Sequence, residues 1–307
     1  LDALVVQFNW GFFSIDALIK LLAAMKAAGT KVFIDFHNTR SAPPEMATGR
    51  VINALASAER LLVHTLDDLQ RMQRFGLADN LMLFPLAVYP VKPPVIEALQ
   101  GNRRRLGLNG RQVIASYGFL LPHKGLMQLI DAMPALLAAR PQLHLLMVNA
   151  IYSAARSDDE HKRLVERIHA LGIADRVTLE TNFLPEEESL ALLKLADLVV
   201  FPYQLSEESS SAAVRMALVA GCPVAVTPLP IFGDVAPAVS RLPGTDPASI
   251  ATGITHLLAE FELQERRADA AACCAKFVAS RDAGLLSRRL RGLVEGCRND
   301  ITVGWEA

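Results

Sequence analysis

The stretch EESSSAAVRMALVAGCPVAVT, Glu207–Thr227, places two carboxylates and three serines before an apolar run that ends in Gly221. Serine starts helices because its side chain accepts a hydrogen bond from the first free backbone N–H groups. Glycine commonly ends them, and the Val-Ala-Val that follows has the composition of a buried strand. The stretch therefore predicts a helix and then a strand. One serine is enough to cap this helix, so two hydroxyl groups exceed what the helix needs.

Short apolar runs alternate with helical patterns on both sides of this stretch. The runs before it are RQVIASYGF, QLHLLMVNA, DRVTLETNF and DLVVFPY, and the first 88 residues contain ALVVQF, KVFIDF, RLLVHT and NLMLFPLAV. This alternation is typical of βαβ units in a parallel sheet that is covered by helices on both faces. We predict two α/β domains. The second has enough strands for a complete doubly wound sheet, and the first has too few.

The segment YPVKPPVIEALQGNRRRLGLNG, Tyr89–Gly110, interrupts the alternation with three early prolines and a run of arginines. Such a composition favours an interdomain connection. We predict a partial first domain over residues 1–95, a second domain over residues 96–282, and a helical segment over residues 283–307 that packs back on the first domain. Because the first residue is Leu1, we expect the sequence to be a piece of a longer protein that lacks the start of its first domain.

Composition narrows the classes of function. The chain has 307 residues, 51% of them hydrophobic, and a net charge of −1, so nothing favours nucleic acid or an anionic membrane as the main partner. No apolar stretch approaches the roughly 20 residues that a membrane helix needs. The cysteines show no CxxC spacing, which argues against a metal site or a disulfide framework. They are Cys222, Cys273, Cys274 and Cys297.

Three junctions between a strand and a helix carry unusual residues, and ligands of open α/β sheets bind at such junctions. SYGFLLPHKGL, Ser116–Leu126, has neither the Walker A nor the GxGxxG spacing, and a turn with a surface lysine also explains it. The serines before the helix can bind an anion or serve only as caps. IDFHNTR, Ile34–Arg40, ends a strand in His37, which is either structural or functional.

Three successive stretches resemble the nucleotide-sugar domain of retaining glycosyltransferases of the GT-B fold, family 4 (glycosyl transferases group 1). They are SYGFLLPHKGL, VTLETNFLPEEESLALLKLADLVVFPY and EESSSAAVRMALVAGCPVAVT. The resemblance covers about Arg111–Glu260, and Leu1–Val88 is similar to the later half of the family's N-terminal domain. It implies two Rossmann-like doubly wound domains, the first partial. It also implies metal-independent transfer of a sugar, with retention, from a nucleoside-diphosphate sugar to an acceptor hydroxyl, as in the synthesis of bacterial surface polysaccharides.

The resemblance assigns the diphosphate of the donor to two elements of the second domain. Gly118 matches the glycine that lets the backbone approach the donor, and Lys124 matches the lysine that contacts the diphosphate. The N–H groups and hydroxyls of the helix start would donate to the same group. These residues are Ser209, Ser210, Ser211 and Ala212.

The sugar and the base are assigned in the same way. His37 and Glu208 match residues that hold the transferred sugar, so Lys124, Glu208 and His37 form the predicted catalytic set. The family reads the base, largely through backbone groups, at the positions matched by Asn182, Phe183 and Leu184.

Two positions depart from the family pattern. Met216 stands where a second glutamate usually holds the ribose, and Phe119 stands where a basic residue often follows the glycine. Arg215, two helical turns beyond Glu208, is predicted to pair with Glu208 or to point into the donor cleft. We count Phe119 and Arg215 among the donor-binding residues.

Two other functions stay open. One is a non-catalytic sugar-nucleotide-binding or scaffolding module of a longer protein, favoured by Met216 and Phe119, and the other is a sugar-nucleotide 2-epimerase on the same fold. The expected partners are a UDP- or GDP-sugar and a carbohydrate or lipid-linked acceptor, without cofactor, metal or nucleic acid. The expected location is the cytoplasm or the inner face of the membrane. We expect these 307 residues alone to bind the nucleotide with little or no transfer.

Overall fold

The computed structural model describes residues 1–298, which form two compact units. Unit 1 consists of Leu1–Ala87, the short segment Glu207–Ser210 and the described chain from Arg281 onward. Unit 2 consists of Val88–Ser206 and Ser211–Ser280, so it begins before the predicted boundary at residue 96.

Unit 1 is built on a four-stranded parallel sheet in the order β1-β2-β3-β4. Its elements are β1 (Ala3–Phe8), α1 (Ile15–Ala27), β2 (Lys31–Phe36), α2 (Gly49–Ala56), β3 (Arg60–Val63), α3 (Leu66–Arg74) and β4 (Leu81–Leu83). Side-chain caps start two of the helices, since Ser14 accepts a hydrogen bond from the N–H of Ala17 and Thr65 from that of Asp68. The buried faces of the strands and helices share one apolar core.

Unit 2 contains a six-stranded parallel sheet flanked by helices. Its strands are β5 (Gln112–Phe119), β6 (Leu143–Ala150), β7 (Val177–Glu180), β8 (Leu198–Phe201), β9 (Val224–Val226) and β10 (Ser240–Arg241). Its helices are α4 (Ile96–Arg105), α5 (Leu126–Ala139), α6 (Ala154–Ala170), α7 (Glu186–Leu193), α8 (Ala212–Ala220), α9 (Pro247–Glu260) and α10 (Gln264–Ser280), and α11 (Ala283–Arg298) belongs to unit 1.

The strand order of unit 2 is β10-β9-β8-β5-β6-β7. The chain starts at β5, moves outward through β6 and β7, and then returns to the other side of β5 at β8. The order therefore reverses between β5 and β8, which pair through Ile114 and Leu198. In doubly wound sheets the ligand binds outside the carboxyl ends of the strands at this switch point.

Both faces of the unit 2 sheet are buried in apolar cores, because successive strand residues point to opposite faces. Leu146 and Val148 of β6 pack into the core beneath α7, α8 and α10. Leu145 and Met147 pack into the core beneath α5, α6 and α9. Burial on both faces explains why these strands are continuous apolar runs.

The prediction of two α/β units with parallel sheets is confirmed, and Gly221 ends α8 with a φ of 73°. The segment Tyr89–Gly110, predicted as an interdomain connection, contains the helix α4, which its composition did not indicate. The prolines stop before Val95, and the sequence IEALQGNRRR that follows consists mainly of good helix formers. No helix within residues 1–298 has the length and hydropathy needed to cross a membrane.

Candidate functional site

The end of β5 and the first turn of α8 approach each other closely at the switch point of unit 2. Gly118 has a φ of 125°, and a Cβ built on it would lie 3.4 Å from the Cβ of Ala213. A larger side chain would therefore meet α8, and few residues other than glycine adopt this φ. Gly118 thus lets strand β5 end directly against the start of the helix.

Gly125 fixes the turn between β5 and α5. Its φ is 70°, and a Cβ built on it would lie 1.8 Å from the carbonyl oxygen of Pro202, which follows β8. The backbone N–H of Gln204 also donates to the carbonyl of His123 at 2.9 Å. The turn that carries Lys124 is therefore fastened to the chain after β8, and only glycine fits at its corner.

Gly125→Ala is expected to lower the free energy of unfolding by about 2–4 kcal/mol. Left-handed backbone costs alanine about 1 kcal/mol, and the overlap with Pro202 adds about 1–3 kcal/mol. The matched control is Gly172→Ala, since Gly172 has a φ of 65° with no atom within 4 Å of a built Cβ. Urea denaturation of both variants measures the difference, and equal losses would show that the contact with Pro202 is not rigid.

Lys124 lies beside the start of α8. Its Nζ is 3.9 Å from the centroid of the Tyr203 ring, and the Tyr203 hydroxyl is 3.4 Å from the Oγ of Ser211, the residue before α8. The electron-rich face of the ring attracts the ammonium group, whose N–H donors stay available to other acceptors. Within residues 1–298, Lys124 forms no ion pair with a carboxylate. The arrangement gives a positive site next to a helix N-terminus.

The first turn of α8 is not capped by the serine that precedes it. Ser211 occupies the N-cap position with an extended backbone, but its side chain makes no cap hydrogen bond. The N–H groups at the start of a helix lack partners within the helix and carry the positive end of its dipole. This helix start therefore suits an anion such as phosphate.

The hydroxyl of Ser209 has a different partner from the one predicted. Ser209 is buried, and its Oγ donates to the Oδ1 of Asp68 at 2.7 Å within unit 1. The fully buried Asp68 carboxylate also accepts from the hydroxyls of Thr39 and Thr65. Since a hydroxyl carries one proton, Ser209 does not offer its hydroxyl to a diphosphate in this structure. That the backbone N–H of Ser209 donates to the diphosphate stays a prediction.

Arg215 pairs with a residue that the sequence did not indicate. Its guanidinium forms an ion pair with Asp234 and donates to the carbonyl of Ser211 at 2.7 Å. Both charged side chains are 5% exposed. The prediction offered a pair with Glu208, which is exposed, or an orientation into the cleft. The structure places Arg215 in a buried ion pair with Asp234 and in a hydrogen bond to the residue before α8, and its relation to Glu208 stays a prediction.

Three aromatic rings meet at the carboxyl ends of adjacent strands of unit 2. The Phe119 ring centroid, at the end of β5, lies 5.0 Å from that of Tyr152, after β6, and 6.0 Å from that of Phe183, after β7. The rings of Phe119 and Phe183 are nearly parallel, at 15°, and Phe183 is 78% exposed. An exposed flat aromatic surface suits stacking with a planar ring. We call these three residues the aromatic cluster.

The two residues that flank Phe183 are placed differently. Asn182 donates to the Oε1 of Glu180 through its backbone N–H at 3.2 Å and through its side chain at 2.8 Å. Leu184 lines an open cavity of about 610 Å³ beside α4 and α7, together with Lys92 and Glu180. The predicted base-reading stretch thus exposes Asn182 and the Phe183 ring, while Leu184 is half-buried.

His37 follows β2 in unit 1. Its Nε2 is 2.6 Å from the Oε1 of Gln7, and its Nδ1 is 3.4 Å from the Nε2 of His64. Burial lowers the pKa of His37, the Asp35 carboxylate opposes that shift, and His64 adds to it. The neutral imidazole is therefore favoured at pH 7, with the lone pair and the N–H on different sides of the ring.

These features define the class of the protein. Unit 2 is a doubly wound domain with a lysine beside a helix start at its switch point and with aromatic rings at the ends of β5, β6 and β7. The sequence model of the family described as "Glycosyl transferases group 1" matches residues 100–272, which is more than half of the chain. The chain belongs to the glycosyl transferases group 1 family.

Solved structures support the same fold. HepE from Anabaena in complex with UDP has 16% identity and a TM-score of 0.77, over 96% of this chain and 79% of that chain. A glycosyltransferase from Rickettsia africae ESF-5 has 13% identity and a TM-score of 0.79, over 96% and 76%. A UDP-forming α,α-trehalose-phosphate synthase from Burkholderia xenovorans has 14% identity and a TM-score of 0.72, over 96% and 73%. The predicted GT-B fold is confirmed. No curated protein sequence matches significantly.

The sequence did not indicate several residues of the candidate site. Gly125 follows Lys124 in the stretch SYGFLLPHKGL and directly precedes a helix, and a glycine in that position indicates a left-handed backbone. Tyr203 ends the apolar run DLVVFPY, which placed it at the carboxyl end of a strand. Neither Tyr152 nor Asp234 has a local motif. They are brought to the site only by the pairing of distant segments.

Proposed function

We propose that this member of the family transfers a sugar from a UDP-sugar to an acceptor hydroxyl with retention at the anomeric carbon. The observation that carries the proposal is the Lys124 ammonium group over the Tyr203 ring beside the start of α8, at the switch point of unit 2. The family match supports the reaction type. The choice of UDP is supported by HepE, solved with UDP and with UDP-glucose, and by the UDP-forming synthase.

Lys124 and the first N–H groups of α8 bind the diphosphate in this proposal. Negative charge grows on the diphosphate as the bond to the sugar breaks, so fixed donors aimed at it stabilise the transition state more than the ground state. These groups supply the positive potential without a divalent cation. The leaving phosphate accepts the proton of the acceptor hydroxyl, so no separate base residue is assigned.

The aromatic cluster stacks with the uracil ring of the donor. Phe183 offers an exposed ring face for this purpose, and the nearly parallel ring of Phe119 packs against Phe183. Met216 packs partly buried against the core beneath α8, so the ribose is held by groups other than a glutamate at this position. Glu208 and His37 hold the hydroxyls of the transferred sugar, and diphosphate binding is proposed to be independent of metal.

Incubation of the full-length protein with radiolabelled UDP-sugars, with and without a chelator, tests the proposal. We expect UDP release through transfer to an added sugar or lipid acceptor, or through hydrolysis of the donor, at the same rate in both conditions. Binding of the donor without turnover would favour the scaffolding module. Conversion of the free sugar nucleotide would favour the epimerase. Loss of UDP binding in the chelator would contradict metal-independent binding of the diphosphate.

Phe183→Ala is expected to weaken UDP binding about 5- to 30-fold, because stacking of a base on an aromatic ring is worth about 1–2 kcal/mol. The change removes an exposed side chain, so the free energy of unfolding should stay within about 0.5 kcal/mol of the wild type. The matched control is Tyr89→Ala, another exposed aromatic residue of unit 2. Isothermal titration calorimetry with UDP measures both, and equal affinities would remove the aromatic cluster from base binding.

A further inference from the structure

Unit 1 brings a carboxylate and two imidazoles together at the carboxyl ends of two neighbouring strands. Asp35 lies in β2, His37 follows β2, and His64 follows β3. The strands pair with Phe36 opposite Val63, so the next residues, His37 and His64, lie side by side. Asp35 is two positions before His37 and therefore points to the same face of the sheet. One ligand atom from each of the three lies within 4.8 Å of the others.

The outer hydrogen bonds of the two histidines fix the direction of their lone pairs. The Nδ1 of His64 is 3.0 Å from the carbonyl oxygen of Phe84, and a carbonyl only accepts, so Nδ1 carries the proton. The Nε2 of His37 donates in the same way to the Oε1 of Gln7 at 2.6 Å. The remaining nitrogens, the Nε2 of His64 and the Nδ1 of His37, then face each other at 3.4 Å, and each is the position from which an imidazole offers a lone pair to a metal ion. Outer hydrogen bonds of this kind orient histidine ligands in metal sites.

The third group adds a negative charge to the same point. The Oδ1 of Asp35 is buried and has no hydrogen-bond donor within the described residues 1–298. It lies 3.7 Å from the Nε2 of His64, which in turn is 3.4 Å from the Nδ1 of His37. Three acceptors thus converge without a donor among them, an arrangement that a cation stabilises.

The distances suit a small divalent metal ion. Tetrahedral zinc sites have Zn–N bonds of about 2.0–2.1 Å, which set ligand atoms about 3.3 Å apart. The Nε2 of His64 lies 3.4 Å from the Nδ1 of His37 and 3.7 Å from the Oδ1 of Asp35, and both distances are close to that value. Two imidazoles and one carboxylate favour zinc or another first-row transition metal over magnesium or calcium, which prefer oxygen ligands.

We propose that Asp35, His37 and His64 bind one divalent transition metal ion of the zinc type, with a fourth position open to water or a ligand hydroxyl. The metal uses the Nδ1 of His37, so the N–H at Nε2 stays available to Gln7 or to a sugar hydroxyl. The site lies in unit 1 and is independent of the proposed binding of the diphosphate by Lys124 in unit 2.

The test uses the full chain without a histidine tag, stripped with a chelator and dialysed. Titration with Co²⁺ followed by visible absorption, and with Zn²⁺ by calorimetry, should each show one equivalent bound. Asp35→Asn keeps the shape of the side chain and removes its charge, and it should weaken Zn²⁺ binding at least about tenfold. His256→Ala is the matched control, since His256 is 78% exposed on α9 and should bind Zn²⁺ as the wild type does.

His37→Ala is the second variant, because His64 is buried and its loss could affect folding. Circular dichroism should show native secondary structure for Asp35→Asn and His37→Ala, both with weakened Zn²⁺ binding. Absence of stoichiometric binding by the wild type, or unchanged Zn²⁺ affinity in both variants, would show that the three groups do not form a metal site. UDP affinity measured on the same samples reports separately on the proposed function.

Discussion

Replacing Lys124 with alanine is expected to lower the rate of UDP release from a bound UDP-sugar about 100- to 1,000-fold. Loss of one preorganised donor to a developing negative charge costs about 2.7–4 kcal/mol in the transition state. Lys124 is the lysine that lies over Tyr203 beside α8, so the empty space would be filled by water, which is not preorganised. Single-turnover kinetics with saturating donor measure the loss in the chemical step.

The variant also needs a control for the fold. The cation–π contact with Tyr203 is worth about 0.5–1 kcal/mol, so Lys124→Ala should melt close to the wild-type temperature. Lys276→Ala removes an exposed lysine from α10 of the same unit and should leave the rate unchanged. A loss of less than about threefold in Lys124→Ala would mean that the ammonium group does not face the diphosphate.

The second large effect concerns the buried ion pair. Asp234→Ala is expected to lower the free energy of unfolding by about 3–5 kcal/mol, because the Arg215 charge would stay buried without its carboxylate. Urea denaturation followed by circular dichroism measures the loss. Asp175→Ala is the control, since Asp175 is 70% exposed in its pair with Arg176, and such a pair contributes about 0–1 kcal/mol.

A double variant separates charge burial from packing. Arg215→Met with Asp234→Leu removes both charges and keeps apolar volume at both positions. Replacing a whole buried ion pair in this way is often neutral in stability. The double variant should therefore be more stable than Asp234→Ala. If both variants lose the same free energy, the cost comes from the altered packing and not from the unpaired charge.

The sequence predicted the helices and strands that are determined by residues next to one another in the chain. Gly221 ends α8 as expected from its position after an apolar run. Burial of the sheet on both faces made β6, β8 and β9 of unit 2 visible apolar runs. The helix α4 was missed because the prolines before it dominated the composition of the segment.

The sequence predicted those residues of the candidate site that belong to the motifs shared with the family, such as Gly118 and Lys124. Gly118 and Lys124 lie at the switch point of the sheet, but their contacts with Ala213 and Tyr203 come from segments far along the chain. The bond between Ser209 and Asp68 spans 141 positions, and no local pattern marks it. Polar pairs of this kind have no periodicity, so tertiary structure decides them.

The first turn of α8 receives no cap hydrogen bond from Ser211, so a ligand bound there can add to the stability of the helix. An N-cap side chain that bonded to the first turn would stabilise the free protein by about 1 kcal/mol, and Ser211 forgoes that contribution. Any anion that binds there supplies the missing acceptor, so the same N–H groups serve either the resting protein or its ligand. A side chain at position 211 that capped α8 would raise the stability of the ligand-free protein and lower its affinity for an anion. The present arrangement at Ser211 gives up some stability and keeps the N–H groups for a ligand.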